Sequence, residues 1–140
     1  MASSKWKSFN ELNELNSKRE TVIWGASNWV ERTLSLLKKS YKVSYIVDNN
    51  INNQDIKYFN LKVKNPNTLV KKKKKPFILI CTGSYFSVMK DLDKLNYQTG
   101  VDYSVTPLLQ KRSYIDNFLS SNQELLFTSP EHNFKKKKGG

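Results

Sequence analysis

Cysteine, histidine and arginine are scarce in this sequence, and each shortage argues against particular kinds of bond or site. The single cysteine, Cys81, excludes an internal disulfide and fits a reducing compartment. The single histidine, His132, lies in a polar C-terminal segment, so no catalytic triad or histidine-rich metal site is indicated. Only three of the 24 basic residues are arginines, so the bidentate forks that read guanine are few. We therefore assign no catalytic residue and no metal ligand.

Long hydrophobic runs are missing as well. No apolar run approaches the roughly 18 residues that a membrane span needs, and no signal-peptide pattern opens the chain. We therefore expect a soluble, cytoplasmic protein without a membrane span. Hydrophobic residues make up 38% of the 140 residues, enough for the core of one domain.

The chain does contain a strand, a glycine corner and a helix in succession near its N-terminus. A short apolar run ends at Gly25, after which Ser27 or Asn28 can cap an amphipathic helix. A second β-rich run over 43–47 ends at Asp48. This layout is typical of a nucleotide-binding βαβ unit, in which the acidic residue meets ribose hydroxyls. Asp48 can equally close an Asx turn, and both interpretations stay open.

The same succession occurs again near the middle of the chain. Residues 77–82 form the most apolar run, which predicts a central parallel strand buried on both faces. The run ends at Gly83, and Ser84 is placed to cap the next helix. We call the turn at Gly25 the first corner and the turn at Gly83 the second corner. If the two strands are neighbours, both corners flank one crevice in which an anionic ligand would bind.

The remaining segments complete the prediction. Ser8 and Glu11 have the spacing of a capping box and predict a helix to about Asn16. Further along we expect a short extra strand or a hairpin arm over 56–63, a brief helical turn from Asn65 to Val70, a strand over 101–106 and a helix over 110–119.

Together these segments predict a three-layer, Rossmann-like α/β domain. Its sheet should be short and mostly parallel, with about four or five strands and helices on both faces. We predict a single domain over residues 1–128 with its core in 18–106, followed by a flexible, lysine-rich tail over 129–140.

The phosphate-binding glycine pattern is incomplete. In the G-x-G-x-x-G register, Ser27 and Val30 stand where the second and third glycines belong. This disfavours NAD or FAD as the cofactor, while a phosphate or diphosphate at the helix end stays compatible. Trp29, next to this position, can stack on a base or a sugar, or can pack beside the N-terminal helix.

Four stretches together resemble a known family of small domains: VIWGASNWVERTLSLL, VSYIVDNN, LKVKNPNTLV and FILICTGSYFSVMKDL. They are similar to the nucleotide-sugar-binding N-terminal domain of bacterial sugar acetyltransferases and to the C-terminal domain of sugar C-methyltransferases. The shared features are an aromatic-Gly-Ala turn at 24–26, an acidic strand end at Asp48, a proline turn at Pro66 and a small polar turn at 82–84. The resemblance implies an NDP-sugar ligand, such as a UDP-sugar, in sugar modification or polysaccharide biosynthesis.

The leading hypothesis is therefore a nucleotide or nucleotide-sugar site at the carboxyl ends of the parallel strands, in a protein that can form a homodimer or work with a partner enzyme. Its candidate residues lie in three loops: Gly25, Ala26, Ser27, Asn28, Asp48, Asn49, Thr82, Gly83, Ser84 and Tyr85.

Two alternatives compete with this hypothesis. The formal charge of +12 and the lysine runs 71–75 and 135–138 would suit a basic nucleic-acid-binding or scaffold protein. A small transferase fragment that needs a partner is the other alternative.

Overall fold

The computed structural model describes residues 6–50, 52 and 57–111 of the chain. The chain divides after Gln110, and every described residue except Lys111 belongs to the first unit. The predicted boundary at residue 128, the lysine-rich tail, His132 and most of the helix predicted over 110–119 lie outside the described residues.

The described residues alternate between helices and strands. The helices are α1 (Phe9–Asn16), α2 (Asn28–Leu34), a 3₁₀ helix (Pro66–Leu69) and α3 (Tyr85–Lys94). A further helix, α4, begins at Pro107 and is described to Lys111. The strands are β1 (Thr21–Trp24), β2 (Ile46–Val47), β3 (Lys57–Tyr58), β4 (Leu61–Lys64), β5 (Phe77–Ile80) and β6 (Tyr103–Val105).

The strands form one sheet in the order β3-β4-β2-β1-β5-β6. Strands β4, β2, β1, β5 and β6 are parallel, and β3 is antiparallel to β4. Starting from β1, the chain first extends the sheet on one side and then crosses back to place β5 on the other side of β1. This order confirms the predicted Rossmann-like class, and the strand order reverses between β1 and β5.

Side chains of the sheet alternate between two cores, one on each face. From the two central strands, one core takes Val22, Trp24, Ile78 and Ile80, together with Val88 and Leu92 of α3. The other core takes Ile23, Phe77 and Leu79 of the same strands, together with Leu12 of α1 and Val30 of α2. Helices therefore cover both faces, which confirms the three-layer prediction.

Local signals fixed several of these elements. Ser8 and Glu11 form the predicted capping box at the start of α1. Phe59 and Asn60 both have positive φ, 57° and 65°, and form the two-residue turn of the predicted hairpin. α4 begins at Pro107 rather than at residue 110, because proline suits the first position of a helix.

Candidate functional site

Gly25 lies where the carboxyl ends of β1 and β5 approach each other. The register pairs Trp24 with Ile80, so both strands end at the same edge of the sheet. Gly25 has φ of +118°, and a Cβ there would lie 2.8 Å from the Cys81 carbonyl oxygen and 2.8 Å from the Thr82 Cβ. Only glycine allows the two corners to approach this closely. The structure therefore brings the two predicted corners together.

Ser27 links the first corner to the second. Its Oγ accepts a hydrogen bond from the Trp29 N–H at 3.2 Å and donates one to the Cys81 carbonyl at 2.7 Å. Ser27, rather than Asn28, is thus the N-cap of α2. Because this serine accepts from the Trp29 N–H itself, that donor is already engaged where a phosphate would otherwise bind.

Asp48 ties the end of β2 to the first corner. Its Oδ2 accepts from the Ala26 N–H and its Oδ1 accepts from the Asn50 N–H, both at 2.8 Å. The second contact closes an Asx turn, which was one of the two interpretations of this residue. A carboxylate can accept more than two hydrogen bonds, so a ribose role stays a prediction.

The second corner is more open than the first. Gly83 and Ser84 are exposed, and a Cβ at Gly83 would meet nothing within 4 Å. Ser84 is the N-cap residue of α3, as predicted from the sequence, but its side chain forms no capping hydrogen bond. Its backbone, at φ −87° and ψ 38°, is not in the extended conformation of a capping residue. Its N–H donates instead to the Thr82 Oγ1 at 3.3 Å.

The other candidate residues are divided between rim and core. Asn28 and Asn49 are exposed at the rim, whereas the Tyr85 side chain is only 2% exposed and packs in the core beside Phe86. Tyr58, which the sequence did not single out, donates from its hydroxyl to the Asn28 Oδ1 at 3.4 Å. This contact joins the β3–β4 hairpin to the start of α2, and only the fold reveals it.

Trp29 packs in part against the core on each face of the sheet, and its stacking on a base stays a prediction. Its ring is half-buried against both cores, and the Arg32 guanidinium lies 5.2 Å from the ring centroid. This geometry is a cation–π contact within one helix.

Among the described residues, no cluster of reactive groups forms at this edge. Burial raises the pKa of the Cys81 thiol to about 12, so Cys81 is a buried, unreactive residue. Within residues 6–50, 52 and 57–111, no group of three or more His, Cys, Asp or Glu residues could hold a metal ion. Nor is any helix in these ranges long and apolar enough to span a bilayer.

Comparisons with known proteins add little to this description. No protein-family model matches the chain, and no curated protein matches it significantly in sequence. Among solved structures, the chain is similar to the crystal structure of RSP, a Rex-family repressor. The TM-score is 0.46 and the identity 18%, over 85% of this chain and 68% of that chain. At this level of similarity the fold assignment depends on the strand order described above.

Proposed function

We propose that the crevice between β1 and β5 binds a nucleotide or nucleotide-sugar. The observation that carries the proposal is the reversal of strand order between these two strands, with both glycine corners at the same edge. In open α/β sheets, ligands bind outside the carboxyl ends of the strands at this reversal. Asp48 and Asn49, at the end of the neighbouring β2, would then face ribose or base.

The phosphate group is expected at the second corner. At the first corner, Ser27 already accepts from the Trp29 N–H and Asp48 already accepts from the Ala26 N–H. At the second corner, the Ser84 side chain forms no capping hydrogen bond with α3, and a Cβ at Gly83 would meet nothing within 4 Å. A phosphate there would supply the acceptor that Ser84 does not provide.

The resemblance to the sugar acetyltransferase and C-methyltransferase domains makes an NDP-sugar the leading ligand class. A sugar-modification or polysaccharide context follows from the same resemblance. In this role the domain holds the nucleotide-sugar while a partner enzyme, or a second copy of the chain, supplies the chemistry.

Thermal unfolding with a ligand panel tests the proposal. The panel contains UDP-sugars, other NDP-sugars, NAD(H), coenzyme A and S-adenosylmethionine. A ligand at one hundred times its Kd should stabilise the fold by about 2.7 kcal/mol. The proposal is wrong if no member of the panel raises the melting temperature.

A charge placed at the second corner tests where the phosphate binds. Ser84→Asp should leave the free protein as stable or slightly more so, since a negative charge near a helix N-terminus is favourable. It should weaken nucleotide binding about tenfold or more, because the carboxylate repels the phosphate. Ser40→Asp is the matched control, since Ser40 is exposed in the loop that leads from α2 to β2. Equal effects of the two variants on affinity would place the phosphate elsewhere.

A further inference from the structure

A basic groove lies at the opposite edge of the sheet from the crevice. It is lined by the residues that lead into β1 and β5 and has a volume of about 740 Å³. The lining, here called the amino-edge groove, consists of Leu15, Lys18, Arg19, Glu20, Lys73, Lys74 and Lys75. Five of these residues are basic and one is acidic, so the groove carries a strong positive charge.

Ion pairing neutralises little of this charge. Arg19 is paired with Asp102 at 2.8 Å, and Glu20 is paired with Lys72, which lies beside the groove, at 2.8 Å. Lys75 has neutral partners: its Nζ donates to the Asn96 carbonyl and lies 5.2 Å from the Tyr97 ring centroid. Such contacts position an ammonium group without cancelling its charge.

The three remaining cations of the lining are exposed. Within the described ranges, Lys18, Lys73 and Lys74 have no ion-pair partner. Like charges that line one groove repel one another, and a bound polyanion would relieve that repulsion.

The lysine run over 71–75 is fixed to the rest of the domain near both of its ends. Lys72 anchors it to Glu20 and lies 5.6 Å from the Tyr45 ring centroid. Arg19 binds the carbonyl of Lys75 at 3.1 Å at the other end. Lys73 and Lys74 lie between these two contacts. The loop is therefore partly ordered before a ligand binds, which lowers the entropy cost of binding.

We propose that the amino-edge groove binds a chain of phosphate groups, separately from the nucleotide crevice. Lysine ammonium groups act as point charges on phosphate oxygens and read no base, so binding should be independent of sequence. Two sources provide this chemistry, a nucleic-acid strand and free inorganic polyphosphate.

Two triple variants with the same change of charge test the proposal. Lys18→Gln, Lys73→Gln and Lys74→Gln are combined in one protein, and Lys39→Gln, Lys62→Gln and Lys90→Gln in the control. All six lysines are exposed, and the control positions lie outside the groove. Lys72 and Lys75 are left intact because both hold the loop.

Fluorescence anisotropy with a labelled oligothymidylate measures the difference. The groove variant should weaken binding about tenfold or more at low salt and should reduce the log–log salt slope by about 2. The control should change affinity much less. Equal losses in both variants would overturn the proposal, since net charge alone would then explain binding.

Competitors identify the chemistry and its source. Polyglutamate should displace the oligothymidylate poorly, and displacement as good as that by inorganic polyphosphate would overturn the phosphate assignment. If polyphosphate binds more tightly than oligothymidylate per phosphate, free polyphosphate is the ligand, and the reverse order assigns a nucleic-acid strand. Ser84→Asp should leave this binding unchanged, which separates it from the crevice.

Discussion

At the scale of a residue, two buried tyrosines differ in whether the hydroxyl forms hydrogen bonds, and this difference should affect stability. The Tyr103 hydroxyl donates to the Asp93 Oδ1 at 2.8 Å and lies 2.6 Å from the Thr99 Oγ1. The Tyr97 hydroxyl is buried with no hydrogen-bond partner among the described residues. Burial raises the pKa of both phenols to about 12, so each is neutral at physiological pH.

Replacing each tyrosine with phenylalanine should have opposite effects. Tyr97→Phe should raise the free energy of unfolding by about 1 kcal/mol, because it removes a buried polar group that forms no hydrogen bond. Tyr103→Phe should lower it by a similar amount, because two polar partners lose their contact. Urea unfolding at neutral pH measures both variants. A loss of stability in Tyr97→Phe would mean that this hydroxyl has a partner in solution.

At the scale of elements, the two glycine corners differ although the sequence presents them alike. Gly25 lies against the end of β5, with φ of +118°. Gly83 has open space at its Cβ position. The close approach of β1 and β5 therefore depends on the first glycine alone.

Alanine substitution at each corner tests this difference. Gly25→Ala should lower the free energy of unfolding by about 3 kcal/mol, from the disfavoured φ and the 2.8 Å contacts with Cys81 and Thr82. Gly83→Ala should change it by less than about 0.5 kcal/mol. Thermal or urea unfolding measures both. Similar losses at the two positions would contradict the asymmetry.

The sequence predicted those parts of the fold that depend on local patterns. The capping box at Ser8 and the two strands that lead to glycine turns are short-range signals, whereas the turn at Phe59 and Asn60 was not located from the sequence. The hydrogen bond from Ser27 to the Cys81 carbonyl could not be predicted, since it exists only once β5 lies beside β1. The missing side-chain cap at Ser84 could not be predicted either, because it depends on a backbone conformation that residue types do not specify.

The length of β2 shows the same limit. The apolar pattern predicted a strand over 43–47, whereas the regular strand covers Ile46–Val47 only. The Ser44 N–H still donates to the Thr21 carbonyl, and the Tyr45 carbonyl accepts from Ile23. Hydrogen bonding with β1 therefore begins at Ser44, although the regular strand begins only at Ile46.

At the scale of the whole molecule, Arg19 holds together the edge of the sheet opposite the crevice. Its guanidinium donates to the carbonyls of Lys75 at 3.1 Å, Val101 at 3.2 Å and Pro76 at 3.4 Å. It also donates to the Asp102 Oδ1 at 2.8 Å. One side chain thus joins the segments that lead into β1, β5 and β6, which a lysine could not do with a single ammonium group.

The Asp102 carboxylate makes the Arg19 contacts sensitive to acid. Burial acts to raise its pKa, but the hydrogen bond from the Gln98 N–H and the neighbouring Arg19 outweigh it, and the pKa lies below the usual 3.8. A carboxyl whose pKa is lowered by folding stabilises the fold fully above its unfolded pKa. That contribution is lost as the pH falls through the lower folded pKa.

Asp102→Asn should therefore destabilise the protein in a way that depends on pH. At neutral pH the free energy of unfolding should fall by about 2 kcal/mol, because a charged hydrogen bond to Arg19 is lost. The difference from the unchanged protein should shrink below about pH 4, as Asp102 itself becomes protonated. Urea unfolding across this pH range gives both values.

Glu14→Gln is the control, since Glu14 is exposed and has no ion-pair partner among the described residues. A difference between Asp102→Asn and the unchanged protein that stayed constant down to acid pH would mean that the carboxylate charge is not what holds this edge together.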